Sequence, residues 1–164
     1  MFKVFIDGSA GTTGLRIREM LERRTDVSLI ALPESLRKDA DARKEAINAS
    51  DVTFLCLPDD AARETVTLVE NPHTVVIDAS TAHRTAEGWA YGFPELSAEH
   101  RAAIARGKRI ANPGCYASGF IALVYPLVTA GVVAPDYPFV CHAVSGYSGA
   151  GKKGIAEYEA ENRS

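Results

Sequence analysis

The chain opens with a short apolar run, Val4-Phe5-Ile6, that stops at Asp7-Gly8-Ser9-Ala10-Gly11-Thr12-Thr13-Gly14. Beyond it Leu15, Ile17, Met20 and Leu21 recur at helical spacing, opposite Arg16, Arg18, Glu19 and Glu22. This pattern predicts a buried strand, a glycine turn and an amphipathic helix. Residues 27–32 read as a second strand, ended by Pro33, and residues 37–49 as a helix charged on one side. Residues 52–57 form a third apolar run, nearly uninterrupted, as parallel strands covered on both faces are. A helix from Ala61 to about Val69 follows Pro58-Asp59-Asp60, and residues 74–77 are a fourth strand ending at Asp78-Ala79-Ser80. Such alternation predicts an α/β fold with an open, doubly wound parallel sheet. Ligands of these sheets bind at the carboxyl ends of the strands, so the chemistry is expected after Ile6, Leu32, Leu57 and Ile77.

From Thr81 to Ser97 the pattern turns irregular and aromatic, with His83, Arg84, Trp89, Tyr91, Phe93 and Pro94. A helix over 98–106 and a strand over 109–111 follow. The turn Asn112-Pro113-Gly114 then leads into an apolar helix from Cys115 to about Ala130. Residues 138–145 read as a strand that runs into a glycine-rich segment, Gly146 to Gly154, with a last helix starting near Ile155. The expected organisation is a Rossmann-like cofactor domain over 1–114 and the start of an α+β catalytic or dimerisation domain over 115–164. One long strand is not a sheet, so the chain reads as the first part of a longer polypeptide.

An apolar content of 46% and a charged content of 24% fit a soluble globular protein. The net charge of −3 offers no basic surplus for nucleic acid or anionic membrane. No apolar stretch approaches the roughly 18 residues of a membrane span, and the N-terminus carries no signal-peptide pattern. The three cysteines, Cys56, Cys115 and Cys141, are far apart and contain no CxxC, which fits a reducing cytoplasm. Histidines and acids show no metal-ligand spacing, so no metal is expected.

Gly8, Gly11 and Gly14 form G-x-x-G-x-x-G between a strand and a helix. Glycines there allow a tight turn and let the backbone approach a pyrophosphate at the helix N-terminus. Ser9, Thr12 and Thr13 join them as expected cofactor contacts; a purely structural glycine turn is the alternative. Glu34 stands where an acidic ribose ligand of NAD would, whereas Ser35, Arg37 and Lys38 beside it favour the 2′-phosphate of NADP. The competing reading is a solvated helix start that Glu34 and Ser35 cap. Ser80 and Thr81 offer hydroxyls at the cofactor crevice, and Arg84 could fork onto a substrate phosphate or carboxylate. Cys115 is expected at a helix N-terminus, where unpaired N–H groups favour the nucleophilic thiolate. Cys56 and Cys141, inside apolar strands, read as packing residues. His142 likewise reads as a core histidine, and His73 and His100 as surface residues.

Six motifs together resemble N-acetyl-γ-glutamyl-phosphate reductase of the shorter type, within the semialdehyde dehydrogenase superfamily. They are the glycine turn, Leu55-Cys56-Leu57-Pro58-Asp59, residues 77–84, Tyr91-Gly92-Phe93-Pro94-Glu95-Leu96, Asn112-Pro113-Gly114-Cys115-Tyr116 and residues 142–149. The resemblance implies NADPH-dependent reduction of an acyl phosphate to an aldehyde in arginine biosynthesis. It makes Cys115 the nucleophile that forms a thioester, with Asn112 and the helix backbone steadying the oxyanion. The segment with Ser145, Gly146 and Gly149 would lie near the nicotinamide and the substrate, and Arg84 near the substrate phosphate. The family's acid–base histidine matches none of the four histidines here, and full-length members are expected to be homo-oligomers, dimer or tetramer. Aspartate-semialdehyde dehydrogenase and a non-catalytic NAD(P)-binding redox sensor are the alternative functions.

Overall fold

A computed structural model describes residues 1–144 and 146–160. Six parallel strands form one sheet: β1 (Phe2–Asp7), β2 (Val27–Ile30), β3 (Val52–Leu55), β4 (Val75–Asp78), β5 (Ala90–Tyr91) and β6 (Arg109–Ala111). Their order is β2-β1-β3-β4-β6-β5. The chain steps outward from β1 to β2, then returns past β1 to β3. That reversal puts a switch point between β1 and β3, where open α/β sheets bind ligands.

Helices α1 (Thr12–Leu21), α2 (Ala40–Asn48), α3 (Asp59–Thr67) and α4 (Ala98–Arg106) connect the strands. Asp39 caps α2 by accepting from the Ala42 N–H at 2.8 Å, and Ser97 caps α4 through His100 N–H. On one face of the sheet Phe5 packs with Ala46 and Ile47 of α2. Leu55 and Val76 pack with Ala62 of α3, Ala82 and the half-buried Trp89. The strand runs are apolar because both faces are covered, as expected from the sequence.

Four local expectations change. Leu15 and Met20 of α1 are exposed at 56% and 58%. The inward positions are Gly14, Ile17 and Leu21, because the buried glycine brings α1 close against the turn. The irregular aromatic stretch holds β5, whose parallel pairing with β6 closes the sheet edge. No local pattern marks a two-residue strand; the edge of β6 makes it. Residues 138–144 form no strand, and Cys141 and His142 are exposed, not core residues. An apolar run becomes a strand only beside a partner backbone, and no described strand lies alongside this one. Ser145 lies outside the described residues. After α5 (Cys115–Thr129) comes this extended segment, then α6 (Gly151–Glu159), which begins four residues earlier than its apolar pattern indicates.

Candidate active site

Parallel register puts four loops in one row. Asp7 is level with Leu55, Leu55 with Asp78, and Asp78 with Ala111. The next residues, Gly8, Cys56, Ala79 and Asn112, therefore leave the sheet side by side. The ladder continues into them: Cys56 N–H donates to Asp7 O at 2.8 Å, Ala79 N–H to Leu55 O at 2.9 Å, and Asn112 N–H to Asp78 O at 2.7 Å. Residues distant in sequence thus line one edge of the sheet.

Its first loop is the glycine turn. Gly8 has φ +85°, and a Cβ on it would lie 2.2 Å from Cys56 O. A Cβ on Gly14 would lie 2.5 Å from Gly8 O. Gly11 N–H donates to Gly8 O at 3.0 Å, closing the turn ahead of α1. Thr12 opens α1, and Thr13 beside it is exposed. Next to the turn lies a cleft of about 790 Å³, lined by Gly8, Ser9, Glu34, Ser35, Arg37 and Lys38 among others. The loop after β2 thus meets the turn after β1 across one cavity. Glu34 is highly exposed and stands 3.9 Å from Arg37, leaving both in reach of solvent and ligand.

Beneath this cleft a buried ion pair braces the turn. Asp7 Oδ2 accepts from Arg43 Nη2 at 2.8 Å and Nε at 3.1 Å, and Arg43 also bonds Thr65 Oγ1. The pair ties the end of β1 to α2 and α3. Sequence reading missed Arg43; nothing local distinguishes it from the other charges of its helix. Cys56, half-buried between the ends of β1 and β4, has its thiol pushed up to about 11 by burial and by the Asp7 and Asp78 carboxylates. It stays protonated and packs, as expected.

The loop after β4 holds a second buried carboxylate. Asp78 accepts from Ser80 N–H at 2.9 Å, Ser80 Oγ–H at 2.7 Å and His83 Nδ1 at 2.6 Å. The expectation of free hydroxyls is corrected here. The Ser80 hydroxyl is turned inward onto Asp78, and the Thr81 hydroxyl bonds Asp59 at the start of α3. The buried Asp78 carboxylate draws in the Ser80 hydroxyl because an unsatisfied buried charge is costly. That leaves the Ser80 backbone, not its side chain, as a possible cofactor contact.

Arg84 reaches from this loop to the turn before Cys115. Its Nε donates to Asn112 O at 3.1 Å and its Nη2 to Ala79 O at 3.4 Å. Gly114, the residue before α5, gives it room: a Cβ there would lie 2.7 Å from Arg84 Nη1. Cys115 is the first residue of α5, exposed, with Gly114 at the cap position. Asn112 is exposed and its amide donates to Pro113 O at 3.1 Å. The structure thus unites Arg84, Asn112 and Cys115. Gly146 and Gly149 it does not bring there: both are exposed and neither lines the cleft. Their segment closes on its own helix, with Tyr147 stacked edge-on to Tyr158 at 5.5 Å.

A glycine turn at a parallel-sheet switch point and a cysteine opening the helix after the last long-range strand define a class. Residues 31–104 match the semialdehyde dehydrogenase NAD-binding domain and residues 115–164 the semialdehyde dehydrogenase dimerisation domain. The chain belongs to the semialdehyde dehydrogenase family. Within it, the chain is 55% identical over 156 residues to N-acetyl-gamma-glutamyl-phosphate reductase 2 of Pseudomonas putida, covering 95% of this chain and 50% of that protein. It is also 55% identical over 157 residues to N-acetyl-gamma-glutamyl-phosphate reductase of Chelativorans sp., covering 96% and 51%. The fold is similar to aspartate semialdehyde dehydrogenase II of Vibrio cholerae, with TM-score 0.67 and 20% identity over 96% of this chain and 50% of that one. The chain spans about half the length of the curated relatives it matches.

Proposed function

We propose that this chain supplies the NADPH-binding and nucleophile-bearing part of an N-acetyl-γ-glutamyl-phosphate reductase. The observation that carries the reading is the row of loops, in which the turns bearing Arg84 and Cys115 leave the same edge of the sheet as the glycine turn. The cofactor fits that turn: only a Cβ-free Gly8 and Gly14 leave the backbone this close, and a cleft large enough for an adenosine half adjoins it. Ser35, Arg37 and Lys38 would hold the 2′-phosphate there, which favours NADP over NAD. When bound, the reduced nicotinamide supplies hydride.

Cys115 Sγ attacks the carbonyl carbon of the acyl phosphate. The new C–S bond forms, the C–O bond to phosphorus breaks, and phosphate leaves with the electron pair. Arg84 sets its guanidinium against this turn, at Gly114 and Asn112 O, suited to the departing phosphate. Backbone N–H groups of the first turn of α5 face the developing oxyanion, with Asn112 beside them. Cys115 would hold the acyl group as the thioester that takes up this hydride, and the resulting alkoxide would collapse to N-acetylglutamate semialdehyde with Cys115 leaving as thiolate. In the whole protein the matched dimerisation domain supports a homo-oligomer, and the reaction belongs to arginine biosynthesis.

The test joins residues 1–164 to the second half of the Pseudomonas putida relative. The reaction is run in reverse, with N-acetylglutamate semialdehyde, phosphate and NADP+, and followed by NADPH absorbance. Turnover that Cys115→Ser abolishes is the expected result. A preference for aspartate semialdehyde, or activity in Cys115→Ser, would overturn the reading. The 164-residue chain by itself is expected to bind NADPH weakly and to turn over little.

A further inference from the structure

We propose that His83 is a positioning residue for the nucleophile turn: paired with the buried Asp78 carboxylate, it fixes the 79–84 loop so that the Arg84 guanidinium stands against Gly114, one residue before Cys115. The proposal rests on the reading of Cys115 as the reacting thiol.

Asp78 is fully buried at the end of β4. Its three donors all come from the loop that follows it, Ser80 twice and His83 once. An ionised carboxylate only accepts, so His83 Nδ1 carries the proton it donates. The imidazole is also buried and lies flat on Trp89, with ring centres 4.1 Å apart and planes 11° from parallel. Hydrogen bond and stack together define both the direction and the plane of the ring. Ser80 Oγ closes the loop further by accepting from Ala82 N–H at 3.1 Å.

Arg84 is the next residue after this anchored histidine. Two of its nitrogens bond the carbonyls of Asn112 and Ala79, and the third faces Gly114. Asp78 reaches the nucleophile turn by a second route, since its own carbonyl accepts the Asn112 N–H. The carboxylate therefore holds the loop that carries the cation, and its backbone holds the turn that carries the thiol. Loss of the His83 bond frees the loop end from Asp78 and lets the long Arg84 side chain leave Gly114 for water. The charge against Gly114, one residue before Cys115, then falls away while the sheet beneath is unchanged.

The readout is the ratio of alkylation rates with iodoacetate and iodoacetamide, measured at Cys115 by peptide mass spectrometry in the full chain. Both reagents attack the same thiol; only the anionic one senses a neighbouring cation. The exposed Cys141 serves as the control within the same molecule. The expected iodoacetate preference at Cys115 exceeds that at Cys141 several-fold. His83→Phe, which keeps an aromatic stack but no donor, is expected to bring the Cys115 ratio down to the Cys141 value. His83→Asn, which restores a donor near the Nδ1 position, is expected to recover most of it, and Arg84→Gln to lose it. A merely structural role would change stability without moving the ratio at Cys115 alone. An unchanged ratio in His83→Phe, or in Arg84→Gln, would overturn the proposal. Should His83→Phe not fold, His83→Leu, which also lacks a donor to Asp78, takes its place; a wild-type ratio there has the same force. No turnover is needed, so failure of the reductase reading and failure of this one are separable.

Discussion

Replacing Gly8 by alanine tests the geometry of the cofactor turn most directly. Two penalties coincide there. At φ +85° an L residue is strained by about 1–2 kcal/mol. The new methyl would also sit 2.2 Å from Cys56 O, a backbone atom that no rotamer change can move. Forcing such overlap apart costs about 1–3 kcal/mol. Gly8→Ala is thus expected to destabilise by roughly 2–5 kcal/mol. Two controls separate the terms. Gly88 has φ +79° with nothing within 4 Å of its Cβ position, so Gly88→Ala reports strain alone. Gly14 lacks a positive φ but its Cβ would meet Gly8 O at 2.5 Å, so Gly14→Ala reports overlap alone. Urea unfolding gives the three values, and a 3 kcal/mol loss would lower the midpoint by roughly 1–2 M. NADPH titration of the folded fraction should show weaker binding for Gly8→Ala and Gly14→Ala but not for Gly88→Ala. A Gly8→Ala that costs no more than Gly88→Ala would refute the argument, because β1 and β3 would then not be in contact at the turn.

Two further outcomes follow from the same crevice. Arg43→Met leaves the Asp7 carboxylate, only 5% exposed, without its guanidinium, and should cost about 3–5 kcal/mol in urea unfolding; a loss below about 1 kcal/mol would mean that water reaches Asp7 freely. For Cys56 the folded thiol is raised from the ordinary 9.0 to about 11, so the folded state holds its proton longer than the unfolded chain. Its contribution is complete below pH 9 and is lost as pH rises towards 11. Cys56→Ala should flatten the fall in stability across that interval, and an unaltered pH slope would contradict the burial of this thiol.

Much of the architecture was legible in sequence because its signals are local. Four apolar runs, the first three each followed by turn residues and a helical pattern, imply the parallel sheet. The Asn112-Pro113-Gly114-Cys115 stretch marks a helix start, and α5 begins at Cys115. The failures share one cause. Residues 138–144 have a strand's composition but no strand partner among the described residues, whereas Ala90 and Tyr91 lack a strand's length yet pair with β6. Strand formation is decided between segments, and no window of one segment contains that information.

The same distinction governs the candidate site. Sequence alone singled out the candidates that carry their meaning in their chemistry and their immediate neighbours: the glycines of the turn, Cys115 after its proline and glycine, and the cations after β2. Tertiary structure alone decided the rest. Only the register of β1, β3, β4 and β6 sets Gly8, Cys56, Ala79 and Asn112 in a row. Only burial turns Asp7 and Asp78 from acidic loop residues into anchors that draw in Arg43 and His83. Arg84 makes the point at a single residue. In sequence it is one arginine among many; in the fold a carbonyl from each of two loops and a missing Cβ at Gly114 hold it against the residue before Cys115. A charge acquires a role when desolvation and fixed partners remove its alternatives, and those are set by the whole sheet.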